Sequence, residues 1–176
     1  RPASSRKMPA EQMTRRMVMA VANPHVDILG HCTGRQIVGT PRAPSTFDAE
    51  IVFAACAQFN TAVEINCRPE RQDPPDELLE LALDWDCVVS IDTDAHAPGQ
   101  MEWQISGCDK AVKHGIADDA IVNTKSADDL LAWVEGALGR RDVPLHAYRP
   151  PTPIRPATPT AGGPAWTEVQ AARRMG

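Results

Sequence analysis

The feature that most restricts the fold of this chain is an alternation of two hydrophobic periods, helix-like and strand-like, along its middle. Pro9 to Ala22 reads as a helix, with Met13, Met17 and Ala20 or Val21 on one face. Val26-Asp27-Ile28-Leu29-Gly30 reads as a short buried strand. A helix follows over Phe47 to Phe59, with Thr46 placed to cap it and Glu50 to add to the cap. Thr61 to Asn66 is the next strand. Asp76 to Asp86 is a helix announced by Pro74-Pro75, and Cys87 to Ile91 is a strand. Gly99 to His114 reads as a helix stopped by Gly115, Ala120-Ile121-Val122 as a short strand, and Ser126 as the cap of a last helix through Leu138. Repeated alternation of this kind means βαβ crossovers and a parallel sheet, so the fold class is α/β. A closed (β/α) barrel takes about 250 residues. With only about four strands visible, two architectures fit: a small open sheet, or one piece of a larger barrel.

The composition suits a globular domain of 176 residues, 43% apolar, large enough for a core of its own. No apolar run reaches the roughly 18 residues of a membrane span, and no apolar stretch of signal-peptide length follows the charged Arg1 to Met8. The five cysteines are scattered, without a CxxC pair, which points away from a disulfide scaffold or zinc knuckle and toward a reduced, cytoplasmic setting. Charge is uneven. Residues 26–140 hold eight Lys/Arg against twenty Asp/Glu, a net −12, whereas both ends are basic. A middle that acidic does not resemble a nucleic-acid-binding surface; it suits a cation site or a solvated acidic surface. Residues 141–176 hold seven of the sixteen prolines. They read as a Pro-rich disordered tail, with Trp166 to Met175 as a short helix at most, behind a domain over residues 1–140.

In parallel α/β folds the active site forms at the carboxyl ends of the strands. Here all three clear strand ends carry groups that a metal or a phosphate can use. The first runs into Gly30-His31-Cys32-Thr33-Gly34-Arg35, the second ends in Glu64-Ile65-Asn66, and the third in Asp92-Thr93-Asp94-Ala95-His96. Residues two apart in an extended chain share a side, so Asp94 and His96 converge, with Asp92 behind them. A carboxylate and an imidazole so placed can serve one divalent ion or two neighbouring ones; the alternative is a capping Asp and a surface His before Pro98. His31 lies between glycines that allow close backbone approach. Arg35 can grip a phosphate through its planar fork. Glu64 falls inside a buried strand, where an unpaired carboxylate is costly, with Asn66 and Arg68 just above it. Cys32 and Cys67 read as small buried hydrophobes, and Trp85, Trp103 and Trp133 as packing residues. No Walker loop, GxGxxG or GxSxG motif is present.

Three stretches together carry a family resemblance. They are His25-Val26-Asp27-Ile28-Leu29-Gly30-His31-Cys32-Thr33-Gly34-Arg35, Val63-Glu64-Ile65-Asn66-Cys67-Arg68-Pro69-Glu70-Arg71, and Ser90-Ile91-Asp92-Thr93-Asp94-Ala95-His96. In order and spacing they resemble the PHP domain (polymerase and histidinol phosphatase family), most of all the C-terminal PHP module of bacterial family X DNA polymerases. That module carries a GHPTGR-like loop, an EIN-x-NPxR-like stretch and an STDAH motif. Val122-Asn123-Thr124 resembles its terminal LNT, and the likeness covers roughly residues 15–135.

The resemblance implies a distorted (β/α)7 TIM-like barrel with up to three divalent ions, zinc or manganese. It also implies hydrolysis of phosphate esters by a metal-activated water, with DNA 3′ ends as one substrate. Carried over by position, His31, Asp94 and His96 become metal ligands and catalytic residues, and Glu64 an acid at the edge of the metal site. Arg35, Asn66, Arg68 and Arg71 fall near the substrate. Cys32 stands where the family has proline. The family's HxH motif, and the histidines and glutamate that precede the GHPTGR-like loop, have no counterpart here. The expectation is therefore the C-terminal half of a PHP barrel, partnered by a missing N-terminal half and weakly active by itself. The alternatives are a histidinol-phosphatase-like enzyme acting on small phosphomonoesters, and a non-catalytic metal-binding remnant.

Overall fold

The computed structural model describes residues 8–141. The expected tail over 141–176, and the short helix within it, lie outside the described residues except for Arg141. Helix α1 spans Ala10–Val21 and buries Met13, Met17 and Val21, the stripe its period demands. Strand β1 is only Ile28–Leu29, shorter than the five-residue reading, because the chain turns away through His31 at φ 27°. Helix α2 spans Ala49–Phe59, and its cap is Asp48, not Thr46: the Asp48 carboxylate accepts from the Ile51 N–H. The Asp48 N–H in turn donates to the Thr14 hydroxyl at 2.8 Å, which fixes the start of α2 against α1.

Asn60, left-handed at φ 53°, ends α2 and feeds strand β2, Ala62–Asn66, in which every residue is buried. Helix α3 is Asp76–Asp84 and strand β3 is Val89–Asp92. The segment expected as one helix from Gly99 divides into a 3-10 stretch, Pro98–Trp103, and helix α4, Gln104–Lys113. Gly115, at φ 63°, stops it as expected. Helix α5 is Ala127–Arg141, and the Ser126 hydroxyl accepts from the Asp129 N–H at its start.

The three strands form one parallel sheet in the order β1-β2-β3. The fourth strand read over Ala120–Val122 reduces to a single parallel bridge, Ile121 to Val89. A side chain does the rest of that work. The Ile91 N–H donates to the Asn123 amide oxygen at 2.7 Å, and the Asn123 amide nitrogen donates to the Ile91 carbonyl at 3.1 Å. Asn123 thus satisfies the edge of β3 as a neighbouring strand would.

Alternation sorts the sheet's two faces. Val63 packs into a core with Met13, Met17, Val52, Phe53, Cys56 and Phe59 of α1 and α2. Ile65, Val89 and Ile91 pack with Leu79 of α3 and Ala111 of α4. The opposite face carries Glu64 paired with Ser90, and Asn66 paired with Asp92. A sheet with helices on one face and a polar row on the other accounts for these strands better than an open sheet covered on both faces, whose strands run apolar throughout. Among the described residues no helix is long and apolar enough to cross a membrane.

Candidate phosphate and metal site

The loops at the carboxyl ends of all three strands meet around one open pocket of about 420 Å³, lined by His31, Gln36, Arg68, Glu70, Arg71, Asp94 and His96. Sequence reasoning named five of these seven. The loop after β1 is held from below by Asp73, which is fully buried. Its carboxylate accepts from the Thr33 N–H at 3.1 Å, the Thr33 hydroxyl at 2.8 Å and the Gly34 N–H at 2.9 Å. Gly34 lies at φ 60°, a conformation that costs glycine nothing.

Glu64 supports the same loop. One carboxylate oxygen accepts from the His31 N–H and the other from the Asn66 amide at 3.2 Å. Burial pushes the Glu64 carboxyl up from its ordinary value, and the His31 N–H works against that shift. Neither Glu64 nor Asn66 lines the pocket. Asn66, expected near substrate, instead holds the next loop by accepting from the Arg68 N–H at 3.1 Å. Arg35, read as a phosphate grip, also lies behind the pocket. It donates to the Arg71 carbonyl at 2.9 Å and to the Gln72 carbonyl, and so staples the first loop to the second.

Arg68 and Arg71 line the pocket, and both engage Asp94. Arg71 Nε is 3.2 Å from Asp94 Oδ2, and Arg68 Nη1 is 3.9 Å from it. Arg68 is held on several sides. It ion-pairs with Glu70 at 3.2 Å, outside hydrogen-bond alignment, and donates to the Asp94 carbonyl at 3.2 Å. Its guanidinium carbon lies 5.5 Å from the centre of the Trp103 ring, a cation–π contact. Trp103, read as a packing residue, therefore also serves the site.

His96 Nδ1 lies 2.7 Å from the Asp94 carbonyl and 3.1 Å from Arg68 Nη1. The Arg68 nitrogen can only donate, so the imidazole nitrogen shared between it and the carbonyl cannot serve both contacts in one tautomer. The His96 N–H is pinned by the Gln100 side chain at 2.6 Å.

Backbone strain gathers at the same place. Asn60 and Asp86 are left-handed residues just past helices, but the other non-glycine residues with positive φ among the described residues are His31, Gln72 and Asp94. Two line the pocket and the third follows Arg71. Such conformations cost about 1–3 kcal/mol each and cluster at functional sites.

The donors His31, Asp94 and His96 are imidazole, carboxylate and imidazole, a set suited to zinc or manganese. Among the described residues, however, no three His, Cys, Asp or Glu side chains converge closely enough to hold an ion by themselves. Cys32 and Cys67 lie in the core, as read. Burial pushes the Cys32 thiol well above its usual value and that of Cys67 up to about 11, so neither is a ready thiolate.

Gln36, Glu70 and Asp73 were missed. Asp73 had one signal, a carboxylate directly before two prolines, but there it reads as helix punctuation. No family model matches the chain. Over 132 residues, 75% of this chain, the sequence is 31% identical to "DNA polymerase/3'-5' exonuclease PolX" of Bacillus subtilis (strain 168), of which it spans 23% of the length. The similarity relates this chain to a segment of that DNA polymerase/3'-5' exonuclease.

Proposed function

We propose that this chain carries part of a PHP-type, metal-dependent phosphoesterase site that acts on phosphate esters at DNA 3′ ends. One observation carries the reading: His31, Arg68, Arg71, Asp94 and His96, drawn from the ends of three parallel strands, line a single pocket. The similarity to a DNA polymerase/3'-5' exonuclease supports the choice of DNA as substrate. The distorted (β/α)7 barrel belongs to the same reading and is supported by the one-sided placement of the helices.

In this reading His31, Asp94 and His96 would hold zinc or manganese only together with further ligands, and the ion so held would supply Lewis-acid polarisation of the phosphoryl group and a water of lowered pKa. Arg68 and Arg71 bind the phosphate oxygens through charge-assisted hydrogen bonds. Trp103 and Glu70 keep the Arg68 fork oriented, and Asp73 and Glu64 fix the turn that presents His31. The net −12 over residues 26–140 favours a second reading, a small phosphomonoester as substrate, because extended DNA would meet repulsion outside the pocket.

The test is hydrolysis by the purified protein in manganese or zinc, with a 5′-labelled single-stranded oligonucleotide and with p-nitrophenyl phosphate as separate substrates. Slow 3′ shortening is expected, abolished by chelator and by Asp94→Asn or His96→Ala. Hydrolysis of the small ester alone would move the reading to its alternative. Metal-dependent turnover no greater than that of the Asp94→Asn, His96→Ala double variant would overturn both.

A further inference from the structure

Residues 26–140 carry a net −12, yet one stretch within them holds no acid. Residues 28–47 contain no Asp or Glu, and no other acid-free interval in that span is as long. At its centre a small hairpin stands at the edge of the pocket. The Gln36 N–H donates to the Arg42 carbonyl at 3.1 Å, and the Arg42 N–H donates to the Gln36 carbonyl at 2.9 Å. Gly39, at φ 82°, makes the turn between them. Two residues of the pocket wall fix the hairpin in place. Gln36 is one of them, and the carbonyl of the other, Glu70, accepts from the Ile37 N–H at 2.8 Å.

Beyond that anchor the chain is exposed from residue 37 to residue 41. Ile37 is 46% exposed and Val38 is 54% exposed, and neither belongs to either core cluster. Both are β-branched and stiff at χ1, so ordering them against a ligand costs little entropy. The Gln36 amide is oriented as well, because its nitrogen donates to the Val38 carbonyl at 3.2 Å. The second amide N–H and the amide oxygen remain available, a donor beside an acceptor, which is the pattern that reads a base edge. A nucleobase is apolar on its faces and polar on its edges, and enzymes hold one with these two kinds of side chain. The acid-free stretch lets a polyanion approach without the repulsion it meets elsewhere on the body. We propose that the hairpin over residues 36–42 holds the base of the terminal nucleotide of a DNA strand, with Ile37 and Val38 against its face and Gln36 at its edge. This rests on the DNA reading above and goes beyond it, because it makes a base, and not only a phosphate, part of what is recognised.

The experiment is fluorescence anisotropy on the full chain, in chelator so that nothing is hydrolysed. The probes are two 5′-labelled single-stranded oligonucleotides, alike except that one ends in an abasic 3′ nucleotide. The end that carries a base is expected to bind about tenfold more tightly, the effect of burying one apolar side chain. Apolar contact releases no counterions, so that gap is expected to hold across a series of salt concentrations while both affinities fall together. In the double variant Ile37→Ser, Val38→Ser the gap is expected to shrink to about twofold or less. If that variant does not fold, by circular dichroism, the two oligonucleotides on the parent protein still decide whether a base is held. Equal affinities for the two ends would overturn the base contact and leave the DNA reading in place. A gap that survives in the double variant would overturn the role of the hairpin. No binding of either oligonucleotide to the parent protein would remove the DNA reading as well.

Discussion

At the scale of single residues, the site depends on groups that never touch the pocket. Asp73 is fully buried and takes three hydrogen bonds from Thr33 and Gly34, residues about forty positions away in sequence. Asp73→Ala leaves those buried donors without an acceptor, and each such orphan costs about 1–3 kcal/mol. A loss of about 3 kcal/mol is expected, part of the burden being relieved by local relaxation. Urea denaturation checks it: the midpoint should fall with an unchanged slope, and a midpoint within error of the parent would refute the role. Arg35 teaches the same lesson. Its type and position beside His31 suggested phosphate, yet its guanidinium is spent on the Arg71 and Gln72 carbonyls. Sequence shows which groups can do chemistry near a strand end. It does not show which of them face the pocket, because that depends on partners brought in by long-range folding. Arg68, Asp94 and His96 were legible since each follows a recognisable strand by a few residues, and Arg71 only through the family resemblance; Asp73 was not, since nothing local marks a carboxylate that serves a distant loop.

At the scale of elements, helices and buried strands were legible because their periods are local, while edges and joints were not. The strand read at Ala120–Val122 shrank to one bridge because the Asn123 side chain supplies the pairing that backbone was expected to supply. The joint between α4 and the sheet turns on Gly107. A Cβ there would stand 2.3 Å from Cys67 Sγ and 2.6 Å from Ile91 Cγ2. Helix propensity predicts that Gly107→Ala stabilises by about 1 kcal/mol, whereas overpacking predicts a loss of about 1–3 kcal/mol. The contacts are too close for the helix to stay where it is, so destabilisation is expected. A raised melting temperature would show that α4 moves freely. A second joint clamps the start of α3 to the end of α4. Lys113 and Lys110 both pair with Asp76, the latter at 3.1 Å, and the hydrogen bond from Lys113 is the main reason the Asp76 carboxyl sits well below its usual range. A folded-state pKa below the unfolded one contributes stability that is present above about pH 4 and is lost as pH falls through the folded value. The melting temperatures of the parent and of Asp76→Asn should therefore differ at neutral pH and converge in acid. A constant gap would mean that the charge of Asp76 is not what joins these helices.

At the scale of the whole molecule, a pocket whose two arginines are each paired with an acid sits in an acidic body, and that balance sets how the chain should meet DNA. Residues 26–140 carry a net −12, while the pocket presents Arg68 and Arg71 as its only Lys or Arg side chains. Each phosphate contacted by a cation releases counterions, giving a slope of log affinity against log salt of about −0.7 per contact on single strands. Two contacts predict a slope of about −1.4 for a single-stranded oligonucleotide, far shallower than that of a protein with a broad basic face. Fluorescence anisotropy over a series of salt concentrations measures it directly. Arg71→Ala should bring the slope to about half that value, because one contact goes and the acidic surround adds none. A slope steeper than about −3 would require at least two further contacts. The basic ends of the sequence are one source of them, since residues 1–25 hold five Lys/Arg against one Glu and residues 141–176 hold five Arg against two acids; Arg42, bridged to the pocket-lining Gln36, is another. The pocket would then be the point where the strand meets the chemistry, and cations outside it the place where the strand is held by charge.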